Sequence, residues 1–172
     1  MISRVTHHWP AVFDEHSRIL IVGSMPSPAS RKFGCYGHPQ NIFWSTLAKI
    51  LDQQPPEPNQ PARREFLLKN KIALWDVVHS CEIDGASDAS IRDVVPNDFS
   101  EIFKTAKIEV VFGSGKAAAD LFNKFCAANV GMEAKYLPST SPANRFMHGK
   151  PDYWTAWEQV RDILCDKVAP LF

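Results

Sequence analysis

The chain has 172 residues, 45% of them hydrophobic, and its 19 basic and 19 acidic residues cancel. This length and composition suit a single domain spanning residues 1–172, and the zero net charge gives no global sign of a polyanionic partner. No apolar run approaches the roughly 20 residues that cross a bilayer, and the N-terminus lacks a signal-peptide core. We therefore expect a cytoplasmic, unprocessed chain without a membrane partner.

Runs of apolar residues and helical patterns alternate along the chain. Short runs bounded by polar or turn residues predict buried strands at 18–24, 72–78, 108–114 and 133–139. Apolar spacing predicts helices at 43–51, 61–70, 97–107, 115–128 and 151–167, with a proline-rich loop at 52–61 and a polar loop from 79 to 90. Strands alternating with helices predict an α/β fold, a three-layer α/β/α sandwich around a four-stranded parallel sheet.

The cysteines and histidines do not predict a metal site. The four cysteines lie far apart without a CxxC pair, which disfavours a zinc ribbon and favours buried, reduced thiols. An iron–sulfur cluster built from all four is the minor alternative. His7 and His8 have no third ligand at a useful spacing, so we interpret them as a mobile or surface pair. We expect neither a metal nor a cofactor.

Charge is distributed unevenly along the chain. Residues 17–49 contain four basic residues and no acid, and residues 139–151 contain two basic residues and no acid. Residues 82–109 contain seven acids against three bases, which suggests a face turned away from any phosphate backbone. A randomly solvated surface is the alternative interpretation.

A shaped loop precedes the first predicted helix, in the stretch GCYGHPQNIFW at residues 34–44. Its glycines and proline break regular structure, so Tyr36, His38 and Asn41 are expected to be held on a turn. Taken alone, Asn41 is best interpreted as a cap of the helix that follows.

Functional loops of a parallel sheet lie beyond the carboxyl ends of its strands. The segments there are GSMPSP, VHSCEIDGASD, GSGK and PSTSPANR, whose backbone amides and small hydroxyls suit contact with phosphate or a base edge. GSGK is not a phosphate loop, because Val110 replaces the first glycine and Ala117 replaces the Ser or Thr. Ser24 lacks the GxSxG pattern of a nucleophile, and Cys35 with His38 lacks an orienting partner.

Four motifs together resemble one protein family. GSMPS after the first strand, HPxNxFW before the first helix, LWDVVxxC with a following GxSD, and PSTSPA after the fourth strand are similar, in the same order, to motifs of the hypoxanthine-DNA glycosylase branch of the uracil-DNA glycosylase superfamily. The matches span about residues 20–144. The resemblance implies the four-stranded fold above, with a pocket for a flipped-out base at the carboxyl ends of the strands.

The resemblance also implies roles for individual residues. Asn41 is implied as the catalytic amide that orients the attacking water. Tyr36 is implied to stack on the extruded base, although a core role for this tyrosine is nearly as well supported. The other implied base-binding residues are Ser24, Met25, His38 and Asp76. Asp76 either hydrogen-bonds a base edge or holds the loop after it.

Contacts with duplex DNA are implied for the loop after the fourth strand. The residues concerned are Ser139, Thr140, Ser141, Asn144 and Arg145. The hydroxyls either bind phosphates or form ordinary turns, and Asn144 or Arg145 fills the gap left by the flipped base.

We therefore predict a monomeric, monofunctional DNA glycosylase whose partner is DNA containing hypoxanthine, uracil or xanthine. No lysine stands in the matched motifs to act as a Schiff-base nucleophile. Met25 stands where many relatives have a catalytic Asp or Asn, and Gln40 stands where branch members have Arg. Two alternatives stay open: a catalytically silent nucleic-acid-binding module of the same fold, and a hydrolase of free nucleosides.

Overall fold

The computed structural model describes residues 1–166, which form seven β-strands and eight α-helices. The strands are β1 (Ile2–Thr6), β2 (Ile19–Gly23), β3 (Ile72–Asp76), β4 (Val78–Asp84), β5 (Arg92–Pro96), β6 (Val110–Ser114) and β7 (Ala134–Leu137). The helices are α1 (Pro28–Phe33), α2 (Phe43–Ile50), α3 (Gln60–Lys69), α4 (Ser100–Thr105), α5 (Lys116–Phe125), α6 (Ala127–Val130), α7 (Arg145–His148) and α8 (Pro151–Leu164). No helix within these residues is both long and apolar enough to cross a membrane.

The four predicted strands form one parallel sheet in the order β3–β2–β6–β7. Strand β2 lies inside the sheet and is fully buried, as its unbroken apolar sequence predicts. The register places Gly23 beside Asp76 and Ser114 beside Leu137, so the carboxyl ends of the four strands meet at one edge. The prediction of a four-stranded parallel sheet is confirmed.

Apolar layers pack against both faces of this sheet. Helices α2, α3 and α8 cover one face, where the largest buried side chains are Phe43, Tyr153 and Trp157. Helices α4 and α5 cover the other face through Ile102 and Phe122. The predicted three-layer α/β/α sandwich is therefore confirmed.

The predicted polar loop from 79 to 90 is wrong over its first half. There, β4 pairs antiparallel with β1 and β5 in a second, three-stranded sheet. Cys81 and Ile83 of β4 are buried against the α4 and α5 side of the core, whereas Glu82 between them is half-exposed. Polar residues in β4 and the mostly exposed partner strand β1 conceal this strand in the sequence.

The five predicted helices are confirmed, with bounds that are shorter or, for α3, shifted by one residue. Helix α4 begins three residues later than predicted, and α5 ends at Phe125, after which α6 forms a separate short helix. Gly113 lets α5 start close to β6, because a Cβ at this position would collide with the backbone of Ala119. Helix α8 ends at Leu164, and its predicted end at Lys167 lies outside the described residues.

The four cysteines do not come together. Cys35 packs on the α2, α3 and α8 side of the sheet, whereas Cys81 and Cys126 are buried on the opposite side. Cys165 is exposed after the end of α8. A cluster held by all four cysteines is therefore excluded.

The interpretation of His7 as a mobile or surface residue is wrong. His7 is 5% exposed, and its backbone N–H donates to His79 O at 3.0 Å. Its Nδ1 has no hydrogen-bond partner within residues 1–166. Burial and the neighbouring His79 lower the pKa of His7 to about 4.

Acidification is expected to destabilise the fold through His7. Because its pKa is lower in the folded state than in the unfolded chain, its contribution is present above pH 6.5 and is lost as the pH falls toward 4, about 2 kcal/mol by about pH 4.5. Urea unfolding of wild type and His7→Gln near pH 7.5 and pH 4.5 measures this contribution. The variant should lose less stability on acidification, and exposed His16→Gln should match wild type. An unchanged pH dependence in His7→Gln would contradict the assignment.

Candidate active site

A cavity of about 290 Å³ opens at the carboxyl ends of the parallel strands. The loops after β2, β4 and β7 line it, together with the loop before α2 and the last residues of β3 and β6. The predicted catalytic and base-binding residues all line this one cavity: Ser24, Met25, Tyr36, His38, Asn41 and Asp76. Ser139, Thr140 and Ser141 line it as well, whereas Asn144 and Arg145 do not.

Backbone hydrogen bonds fold the loop before α2 into successive turns. Gly37 and Asn41 each donate a backbone N–H to the carbonyl three residues earlier, at 2.8 and 2.9 Å. A Cβ at Gly37 would collide with the backbone of Phe33, so this turn requires glycine. Ile42 N donates to Thr140 O at 3.2 Å, which ties the loop to the one after β7.

The carboxamide of Asn41 both caps α2 and lines the cavity. Its Oδ1 accepts a hydrogen bond at 2.9 Å from the backbone N–H of Phe43, the first residue of α2, although the N-cap position itself is held by Ile42. A carbonyl oxygen has two lone pairs, so one acceptor site and the Nδ2 amino group have no hydrogen-bond partner within residues 1–166. Capping fixes the orientation of the amide and leaves it free to bind a water.

Tyr36 forms the aromatic wall of the cavity. Its ring stacks on Phe43 with the centroids 3.9 Å apart and the planes 7° apart, so it belongs to both the core and the cavity. Its φ of 51° is unfavourable for a tyrosine, and such strain is common at functional sites. The buried hydroxyl has no hydrogen-bond partner within residues 1–166, although Ser114 lies near it. Burial and the charge of Asp76 raise the pKa of Tyr36 well above its usual value.

The His38 side chain also reaches the cavity. Its Nδ1 accepts from Gln40 N at 3.0 Å, so the neutral imidazole carries its proton on Nε2. The ring can therefore donate one hydrogen bond toward a substrate.

Asp76 ends β3, and its carboxyl group extends over Gly23 of the neighbouring strand. A side chain on Gly23 would collide with Asp76 Oδ1, so glycine is required beside it. Asn97 Nδ2 donates to Asp76 O at 2.8 Å, which holds the backbone, whereas the carboxyl oxygens have no partner within residues 1–166. Burial, and then the charge of Asp88, raises the pKa of Asp76 to about 7. The carboxyl group is thus poised between its neutral and charged forms near neutral pH.

Asp88 is a cavity residue that the sequence interpretation missed. It belongs to the acidic segment that the sequence suggests is turned away from a phosphate backbone, and it lines the cavity. Ser24 Oγ donates to Asp88 Oδ1 at 2.9 Å, and partial burial raises the pKa of Asp88. The GxSD motif, of which Asp88 is the last residue, is the sequence signal that could have located it.

Helix α8 anchors the loop after β7. Trp157 and Trp154 each donate an indole N–H to a carbonyl at one end of this loop, at 3.0 and 3.1 Å. Inside the loop, Asn144 Nδ2 donates to Ser139 O at 3.0 Å, which turns the Asn144 amide back toward its own backbone. Thr140 is 1% exposed. The loop is therefore a rigid wall of the cavity.

The family model for the uracil DNA glycosylase superfamily matches residues 10–161, nearly the whole chain. The chain belongs to the uracil DNA glycosylase superfamily. Two relatives are named hypoxanthine DNA glycosylase. The one from Methanosarcina barkeri is 39% identical over 139 residues, which cover 80% of this chain and 87% of the relative. The one from Methanosarcina acetivorans is 34% identical over 151 residues, which cover 86% and 94%.

A solved structure also supports the assignment of this chain to the superfamily. The solution NMR structure of a candidate uracil DNA glycosylase from Methanosarcina acetivorans superposes with a TM-score of 0.76 at 33% identity, covering 95% of this chain and 99% of that one. The predicted family, the α/β fold and the activity class, a DNA glycosylase, are confirmed.

A DNA glycosylase needs a surface that meets phosphates. Five cations of the two acid-free segments make no ion pair within residues 1–166: Arg31, Lys32, Lys49, Arg145 and Lys150. The sixth, Arg18, pairs with Glu109 and Asp166. The uncompensated cations favour contact with a polyanion despite the zero net charge.

Phe146 is an exposed aromatic that the sequence interpretation did not single out. It follows Arg145 on α7, is 69% exposed, and lies with its ring centroid 5.6 Å from Lys150 Nζ. Bulky apolar side chains beside a DNA-binding loop are the type that inserts between base steps. Helix α7 thus presents an exposed cation, Arg145, and an exposed aromatic side chain, Phe146, next to each other.

Proposed function

We propose that this DNA glycosylase is monofunctional and removes hypoxanthine from DNA by hydrolysis of the N-glycosidic bond. The observation that supports it most is the presence of Asn41 and Asp76 in one cavity at the carboxyl ends of the strands. Two relatives with the name hypoxanthine DNA glycosylase at 34% and 39% identity support the choice of base. No lysine lines the cavity within residues 1–166, which favours hydrolysis over a Schiff-base lyase reaction.

In the proposed reaction, Asn41 positions the nucleophile. The flipped base leaves with the electrons of its bond to C1′, and the sugar develops oxocarbenium character. Water held by the free acceptor site of Asn41 Oδ1 adds to C1′ and loses a proton to solvent. Because the amide is fixed by Phe43 N, the water is oriented before the bond breaks.

Asp76 stabilises the departing base in this proposal. Hypoxanthine presents the acceptors O6 and N7 on one edge, and a neutral carboxyl group donates an O–H to an acceptor. Negative charge develops on the base as it leaves, so this hydrogen bond strengthens in the transition state. The raised pKa of Asp76 keeps the donor present near neutral pH.

A single-turnover assay tests the proposal directly. End-labelled duplexes with one hypoxanthine, uracil or xanthine are incubated with excess enzyme and then treated with alkali to cut at abasic sites. Alkali-dependent cleavage, fastest for hypoxanthine, is the expected result. Cleavage without alkali would indicate a lyase, and faster release of uracil or xanthine would overturn the choice of base. Duplex binding without release would favour the silent binding module, and activity only on free nucleosides would favour the nucleoside hydrolase.

Helix α7 is proposed to contact the duplex, with Arg145 on a phosphate. We expect Arg145→Gln to weaken duplex binding and to reduce the slope of log affinity against log salt by about one unit. Fluorescence anisotropy at several salt concentrations measures both quantities. Lys69→Gln, which removes an exposed cation at the carboxyl end of α3, should change neither. An unchanged slope in Arg145→Gln would remove this phosphate contact from the proposal.

A further inference from the structure

A second cavity, of about 500 Å³, lies beside the first one. The start of α3, strand β3 and residues 9–12 surround it. It shares Trp9, Cys35 and Asp76 with the first cavity, so these three residues form the wall between the two. Its volume lies in the range of small-ligand sites, and the proposed excision step does not use it.

Tryptophans give the second cavity rigid apolar walls. Trp44 Nε1 donates to Cys35 O at 3.0 Å, and Trp75 Nε1 donates to Trp9 O at 2.9 Å. Both indole N–H groups are satisfied by backbone carbonyls, so these rings offer a ligand their apolar surfaces. Such walls suit a flat aromatic molecule.

Arg63 is the buried charged residue of this cavity, whose lining also includes Gln60, Arg64 and Asp76. It is 8% exposed, makes no ion pair within residues 1–166, and lies 5.3 Å from the centroid of the Trp44 ring. Its Nη1 donates to Phe33 O at 3.5 Å, the longest distance at which such a bond is made. Nε and Nη2 have no hydrogen-bond partner in the described part of the chain, and of the two only Nη2 is accessible, because Nε is fully enclosed.

A nearly buried guanidinium group with unpaired N–H groups is costly, and a ligand that accepts a hydrogen bond from Nη2 recovers part of that cost. We propose that the second cavity binds the free 6-oxopurine base that excision releases. A 6-oxopurine carries the acceptors O6 and N7 on one edge, and Nη2 of Arg63 can donate a hydrogen bond to O6. The tryptophans then contact the flat ring. This inference rests on the proposed function, because it takes the released base as the ligand.

Because Arg63 offers a hydrogen-bond donor, it also predicts which purine binds weakly. Adenine has an amino group at C6 and therefore offers a donor where the guanidinium needs an acceptor. A site built to hydrogen-bond its ligand discriminates strongly against an analogue that leaves its donors unpaired. Hypoxanthine should therefore bind at least about tenfold more tightly than adenine.

The test keeps the first cavity occupied while the second is titrated. Asn41→Ala protein is saturated with a hypoxanthine-containing duplex, and free hypoxanthine or adenine is added in a calorimeter and in a tryptophan fluorescence assay. One hypoxanthine per chain with the expected preference over adenine supports the proposal. Competition between free hypoxanthine and the duplex would place the free base in the first cavity and overturn it, as would equal affinity for the two purines.

A matched pair of variants on α3 tests the role of Arg63. Arg63→Met should weaken hypoxanthine binding about tenfold or more, whereas Lys69→Met, at an exposed position of α3 that does not line the cavity, should stay within about twofold of wild type. Equal binding by Arg63→Met and wild type would overturn the proposal. If Arg63→Met does not fold, the comparison of hypoxanthine with adenine, which needs no Arg63 variant, still tests the proposal. An enzyme that releases only uracil would refute the proposed substrate, whereas the free-base titration of the duplex-saturated protein measures the second site without any turnover.

Discussion

Replacing Asn41 by alanine is expected to slow base release roughly 100- to 1,000-fold in single-turnover assays. The carboxamide is fixed by Phe43 N and keeps one acceptor site free at the cavity, so the variant loses the group that positions water. Duplex affinity should stay within about twofold, because phosphate contacts supply most of it and Asn41 is uncharged. Single-turnover excision and anisotropy on the same hypoxanthine duplex measure the two quantities.

Two further variants separate catalysis from helix capping at this position. Alanine also removes a cap worth about 1 kcal/mol, whereas Asn41→Ser keeps a capping hydroxyl and should unfold like wild type. Asn41→Ser should nevertheless be as slow as alanine, because its short side chain has no second site for the water. Asn41→Asp keeps the oxygen acceptors and should retain much of the activity. If Asn41→Ser released the base at the wild-type rate, Asn41 would have only a structural role at the start of α2.

Local sequence patterns were enough to predict the four-stranded parallel sheet, but they did not predict the three-stranded antiparallel sheet. Strand β2 is an apolar run of five buried residues, and such a run has few alternatives to a central strand. Strand β1 is mostly exposed and pairs with β4, from Ile2 with Asp84 to Thr6 with Ser80, so its structure depends on a long-range pairing. The buried environment of His7, which follows β1, depends on the same pairing and was missed for the same reason.

In the site, too, residues that a local pattern positions were predicted, whereas residues that long-range folding positions were missed. Asn41 and Tyr36 were found because they lie in one recognisable loop, whose turns the glycines and proline predict. Asp88 was missed because its place depends on how β4 and the turn after it return to Ser24. The environment of Asp76 was equally hidden, since its raised pKa results from burial and from the charge of Asp88.

The pH dependence of base release is expected to follow the protonation of Asp76. Its carboxyl group, with a pKa of about 7, is mostly neutral and able to donate at lower pH, and mostly charged at higher pH. The rate should therefore fall about tenfold for each pH unit above 7. Asp76→Asn keeps an N–H donor that does not titrate and should flatten the profile, whereas Asp76→Ala should be about 100-fold slower below pH 7. Single-turnover rates from about pH 5.5 to 9 test this, and a wild-type profile in Asp76→Asn would contradict it.

Asp88→Asn provides the matched control, because it changes the pKa of Asp76 without touching the donor. The charge of Asp88 raises that pKa, so its removal should shift the fall in rate to lower pH.

The free energy of unfolding supplies a second readout for the raised pKa of Asp76. A carboxyl group whose pKa is raised on folding stabilises the protein at low pH and loses that contribution as the pH rises from 3.8 to about 7, a difference of about 4 kcal/mol. Asp76→Asn should therefore be more stable than wild type at pH 8 and similar to it near pH 4. At neutral pH the Asp76 carboxyl group lowers the stability of the fold, as expected for a residue whose chemistry serves activity at the expense of stability.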